Sequence, residues 1–104
     1  MASKRSQYSS VDWVVRPGGE AEFITRWRAL AEIMADNPAG VRSMTLLRSN
    51  DSFNVFRGFV VWGARDDEPP VELRPEELVR YDACVELCEE VVAQRFTVVA
   101  ALFA

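Results

Sequence analysis

Phe53-Asn54-Val55-Phe56-Arg57-Gly58-Phe59-Val60-Val61-Trp62-Gly63 is the stretch on which the fold turns. Its aromatic and β-branched residues mark a strand, along which side chains alternate between two faces. Phe53, Val55, Phe59 and Val61 share one face with Arg57, while Phe56, Val60 and Trp62 share the other with Asn54 and Gly58. Neither face is dressed for water, whereas an antiparallel sheet with one solvated side alternates apolar with polar. Such a strand must be covered on both sides.

Upstream, Ser49-Asn50-Asp51-Ser52 is a polar turn, and Val41 to Arg48 is a second extended run, so the two read as an antiparallel hairpin. Before it, Phe23, Trp27, Leu30 and Met34 recur at helical spacing from Glu20, and Pro38 ends that helix near Asp36-Asn37. Val11 to Val15 is a short strand stopped by Arg16-Pro17-Gly18-Gly19. Residues 1–10 read as a flexible polar tail, leaving 11–104 as a single domain. Downstream, Asp66 to Pro75 is rich in proline and acid and reads as a connection. A second helix is expected from Glu76, with Leu78, Tyr81, Val85, Cys88 and Val92 on one stripe, and a fourth strand from Arg95 to Phe103. The order is β-α-β-β-α-β, an α+β chain with an antiparallel sheet.

With 104 residues, the chain suits one domain. Two helices cover one face of a four-stranded sheet, and no third is available for the other. Exposed apolar sheet forfeits ~25 cal/mol per Å², so the economical cover is a second copy of the chain, packed sheet on sheet as a homodimer.

The composition excludes several chemistries. With no histidine, His-ligated haem, His-based zinc sites and histidine general bases are ruled out. A formal charge of −4 repels phosphate backbones, so nucleic acid is not expected as a partner. No apolar run is long enough for a membrane helix and no signal core opens the chain, so a cytoplasmic protein is expected. Cys84 and Cys88 read as two buried thiols in a reducing compartment; no metal site is expected.

The ordered set Pro17-Gly18-Gly19-Glu20-x-Glu22-Phe23, Trp27, Asn37-Pro38-Ala39-Gly40-Val41, Leu46-Leu47-Arg48-Ser49 and Phe59-Val60-Val61-Trp62 resembles the antibiotic biosynthesis monooxygenase domain of the dimeric α/β-barrel superfamily. The resemblance implies a ferredoxin-like fold whose sheets dimerise into a barrel. It also implies oxidoreductase chemistry: a monooxygenase acting on a small aromatic or quinone-type molecule without a cofactor. A haem-degrading relative would need an axial histidine that this chain lacks. Trp62 matches the tryptophan that ends the third strand of these enzymes, with Phe23 and Trp27 expected beside it. Anthrone oxygenases carry an asparagine four residues earlier; here that position is Gly58, and Asn54 is the nearest polar residue on the same face.

Candidate catalytic residues are therefore Asn54 and Trp62, and candidate substrate-binding residues Phe23, Trp27, Arg57 and Tyr81. Each has a plainer reading: aromatic core for the tryptophans, a turn role for Asn54, a surface hydroxyl for Tyr81. For Arg57 the choices are an ion pair, partial exposure or an anionic ligand. Two other functions fit the same fold. One is a non-catalytic small-ligand-binding or structural homodimer whose cavity is plugged; the other is a cyclase or isomerase, which needs an acid–base pair such as Asp12 or Tyr81 in the pocket.

Overall fold

The computed structural model describes residues 6–65 and 67–102. The elements run β1 (Ser6–Val15), α1 (Glu20–Met34), β2 (Val41–Arg48), β3 (Val55–Arg65), α2 (Pro75–Val85) and β4 (Cys88–Phe96). One sheet has the order β2-β3-β1-β4, with every neighbouring pair antiparallel. This is the expected ferredoxin-like βαββαβ arrangement. No helix among the described residues is long and apolar enough to cross a membrane.

Three boundaries differ from the sequence reading. Residues 6–10 belong to β1 rather than to a tail: Tyr8, Ser9 and Ser10 pair with Val61, Val60 and Phe59 on one side and with Phe96, Arg95 and Gln94 on the other. Their polarity misleads because backbone pairing holds Tyr8 to Ser10 on both flanks, with the Ser10 side chain buried in spite of its hydroxyl. The first five residues of the expected tail lie outside the described ones. Next, β3 starts at Val55, leaving Phe53 exposed on the turn with the Arg48 guanidinium 3.9 Å from its ring centre.

The largest difference is at the C-terminal end. The second helix stops at Val85, and β4 occupies Cys88–Phe96 instead of the expected Arg95 to Phe103. Residues 97–101 have no regular structure, and Phe103 lies outside the described residues. Val85, Cys88 and Val92 fit a helical stripe, but from Cys88 onward the chain pairs with Val15 through Tyr8. Edge pairing to a central strand outweighs the helix propensity of Glu86, Glu89 and Glu90. Exposed Glu89 and Arg95 then leave this edge charged, which discourages further strand addition.

Both helices lie on the face that carries Trp13 and Phe56. Trp13 packs against Phe23 of α1 and Tyr81 of α2, with ring centres 5.2 and 5.3 Å apart. The opposite face is mixed. Val14, Phe59 and Val61 surround the Asp12–Arg57 ion pair, with Leu47, Val92 and Phe96 exposed near the flanks.

The helices are tied at both ends. At one end, Arg26 Nη1 donates to the Ala83 carbonyl at 2.6 Å and to Glu86 at 3.2 Å. At the other, the fully buried Glu77 carboxylate accepts from Asn37 Nδ2 at 2.8 Å, the Arg74 amide at 2.8 Å and Arg74 Nη2 at 3.0 Å. Arg74 Nη2 also donates to the Ile33 carbonyl at 2.8 Å, so the start of α2 is locked to the last turn of α1. Gly63 completes the corner: its amide donates to the Gly40 carbonyl at 2.6 Å, and a Cβ there would sit 2.9 Å from the Ala39 carbonyl.

Burial pushes the Glu77 carboxyl upward, but hydrogen bonds from Arg74 and Asn37 outweigh it and hold the group below its ordinary value. A depressed folded value contributes stability above the ordinary carboxylate range, and that contribution is lost as pH falls through the folded value. Glu77→Gln, which turns an NH2 group toward a ring of donors, is expected to cost about 2 kcal/mol at neutral pH. In chemical denaturation, the gap between variant and wild type should narrow as the buffer is acidified.

Candidate active site between the helices and the sheet

A cavity of about 640 Å³ lies between the helix layer and the inner sheet face. Strand β1 supplies Ser9, Val11 and Trp13 to its wall; β3 supplies Gly58, Val60 and Trp62; and the helices supply Trp27, Leu30, Met34 and Tyr81. Along β3 the lining residues alternate because only every second side chain faces the helices, whereas Gln7–Val11 of β1 and Ala93–Phe96 of β4 contribute consecutive residues at the open end. All three tryptophans of the chain therefore line one space.

The connection before α2 forms part of the rim through Glu68, Pro70, Val71 and Leu73. Gln7 pins it there: Nε2 donates to the carbonyls of Arg65 at 2.9 Å and Pro69 at 3.0 Å, and Oε1 accepts from the Val71 amide at 3.2 Å. This segment is a tethered wall.

Polar side chains enter the lining at Gln7, Ser9, Ser10, Glu68, Gln94 and Arg95, and the indole and phenol groups among the aromatics differ in state. Trp62 Nε1 donates to Ser9 Oγ at 3.2 Å. Trp13 is 1% exposed, and its Nε1 has no hydrogen-bond partner among the described residues. Leaving a buried donor unpaired costs about 1–3 kcal/mol. At Gly58, the point where a Cβ would stand is 3.2 Å from Trp27 Nε1 and 3.6 Å from Trp13 Nε1. Burial raises the Tyr81 phenol above its ordinary value, with the Asp82 charge adding to it, so this hydroxyl is a neutral donor at neutral pH.

Of the residues expected at a site, Trp27, Trp62 and Tyr81 line the cavity. Phe23 does not: it is wholly buried between Trp13 and Phe56, whose ring centre is 4.9 Å from its own. Asn54 is likewise elsewhere, its side chain donating to the Val15 carbonyl at 2.9 Å and its own carbonyl accepting from the Val15 amide at 2.9 Å. Arg57 lies on the opposite sheet face, 57% exposed, with Nε 2.6 Å from Asp12. Asp12 and Tyr81 therefore stand on opposite sides of the sheet, and no acid–base pair forms between them. Trp13, Ser9 and Gln7 were missed. Trp13 was findable from its alternation with Val11 and Val15; Ser9 and Gln7 were hidden in a segment read as tail.

No group of three or more metal-ligating side chains occurs among the described residues. Cys84 is fully buried, and desolvation pushes its thiol up to about 12; burial also raises Cys88. Neither is a nucleophile at neutral pH. Ellman's reagent at pH 8 is expected to leave both thiols unmodified in the native protein and to titrate two per chain after denaturation.

An α+β sandwich of two helices on a four-stranded sheet, with an aromatic cavity between the layers, defines the class. No family model matches the sequence, and no curated protein is significantly similar to it. Solved structures are. A point-substituted variant of SnoaB, a cofactor-independent oxygenase from Streptomyces nogalater, is similar at 25% identity and a TM-score of 0.80, covering 93% of this chain and 96% of that one. A candidate antibiotic biosynthesis monooxygenase from Nitrosomonas europaea is similar at 15% identity and a TM-score of 0.76, covering 95% of each chain. Another, from Bordetella bronchiseptica, has 16% identity and a TM-score of 0.74, covering 92% and 100%. The resemblance to antibiotic biosynthesis monooxygenases is borne out by the structure.

Proposed function

We propose that this protein is a cofactor-independent monooxygenase acting on a small aromatic or quinone-type molecule held between Trp13, Trp27, Trp62 and Tyr81. The observation that carries the reading is the open cavity of about 640 Å³ with indole on several sides. A plugged, non-catalytic core would need Trp27 and Trp62 to fill that space. The likeness to SnoaB supports the reaction class.

The substrate itself supplies the electrons in such a reaction. An activated methylene gives up a proton, its carbanion reduces dioxygen, one oxygen atom remains as a carbonyl, and the other leaves as water. The protein's part is to exclude solvent, orient the ring and stabilise the anion. Trp27 and Trp62 offer flat apolar walls, Trp62 being held in place through Ser9, and Tyr81 offers a neutral hydroxyl. Asn54 and Arg57, remote from the cavity, have no direct role in this chemistry.

The protein acts as a homodimer in this proposal, with the outer sheet face as the contact. Leu47 at 49% exposure, Val92 at 43% and Phe96 at 47% stand exposed on or beside that face, around the half-buried Val14, Phe59 and Val61.

Oxygen uptake with anthrone-type substrates is expected without added flavin or metal and is expected to persist in EDTA. Trp62→Ala should lower turnover roughly 10- to 100-fold through misplacement of the ring. Full activity in that variant would overturn the pocket assignment, and absence of uptake with every anthrone-type substrate tried would overturn the enzyme reading. Sedimentation at micromolar concentration should give twice the chain mass, shifting toward monomer in Leu47→Glu; a stable wild-type monomer refutes the dimer.

A further inference from the structure

We infer that the indole N–H groups of Trp13 and Trp27, converging over Gly58, form a two-donor site for an anionic oxygen on the aromatic occupant of the cavity. Three observations meet there. Trp13 Nε1 is a buried donor without a partner among the described residues, in a side chain only 1% exposed. The position a Gly58 Cβ would occupy lies 3.2 Å from Trp27 Nε1 and 3.6 Å from Trp13 Nε1. Both indoles and Gly58 line the same cavity. The remaining tryptophan is different, because its Nε1 is already engaged by Ser9 at 3.2 Å.

The chemistry of the pair selects its ligand. Indole nitrogen is a donor only, and it carries no proton that it can give up at ordinary pH. Two such donors therefore favour an acceptor, and an ionised oxygen more than a neutral one, since charge-assisted hydrogen bonds are the stronger kind. The surrounding apolar wall admits a flat ring. A phenolate or enolate oxygen attached directly to that ring satisfies both demands. A side chain at 58 would crowd Trp27 Nε1, so glycine there is what lets both indole edges approach the strand and each other. Trp13 and Trp27 hold and polarise the bound molecule without transferring a proton.

This assignment rests on the proposed function only in taking an oxygenated aromatic as the occupant, and its test reads binding rather than turnover. Full-length protein with 15N-labelled indole is titrated with 2-hydroxy-1,4-naphthoquinone, an enolate at neutral pH, and separately with its neutral 2-methoxy analogue. The Nε1–H resonances of Trp13 and Trp27 are expected to move downfield with the enolate, while that of Trp62 stays nearly still. The enolate should bind at least about tenfold more tightly than the methoxy compound. Trp13→Phe and Trp27→Phe should each remove most of that preference, read as the ratio of the two affinities so that any loss of wall contact common to both probes cancels. The Trp62 resonance reports whether each variant is folded, and the wild-type titration needs no variant. Enolate binding without movement of either resonance, or equal affinity for the two probes, overturns the two-donor site and leaves the aromatic-cavity reading standing. Failure of both probes to bind overturns the two together.

Discussion

The buried carboxylate of Glu77 is the interaction on which the helix layer depends. It accepts from Asn37 at the end of α1 and from the backbone and side chain of Arg74 at the start of α2. A charge with no solvent exposure is tolerable only when its lone pairs are all engaged. Here that requirement draws the two helix ends together, and Arg26 ties the opposite ends through Ala83. With both ends fastened, the helices span the sheet as a frame, and the cavity lies beneath it.

Large aromatics set the character of that space. Trp13, Phe23 and Phe56 form a tilted stack that fills one part of the interlayer region. Beside it, Trp13, Trp27 and Trp62 are too bulky and too rigid to collapse into the remaining volume. The indole rings leave a flat-walled opening, and two of them pack close over Gly58, where a Cβ would crowd Trp27. Stability and site are thus built from the same residues, with Trp13 serving both.

Much of the fold was legible because local patterns agreed with tertiary demands. The helix from Glu20, the hairpin around Ser49 to Ser52 and the strand that runs through Trp62 to Arg65 all follow from periodicity and turn chemistry, save the strand's last residues. The C-terminal third was less legible because its patterns conflict. Val85, Cys88 and Val92 suit a helical stripe, while Val91 and Val92 suit a strand, and only the unpaired edge of β1 resolves the choice. The same non-local pairing turned the polar residues 6–10 into strand. Part of the site went with it, since Gln7 tethers the rim and Ser9 holds Trp62.

By itself, the sequence determined the order of elements, the absence of histidine from any chemistry proposed for it and the aromatic nature of the strand and helix that wall the cavity, because these depend on residue identity and short-range spacing alone. It could not determine on which side of the sheet a charge would fall relative to the helices. Arg57 looked misplaced on an apolar strand face, and the register that sets it opposite Asp12 makes it an outer-face ion pair. Nor could it show that two indole nitrogens from β1 and α1 meet over a glycine of β3. Those three positions are brought together by sheet register and helix docking, which depend on contacts far apart in the chain, and there the tertiary structure alone decided.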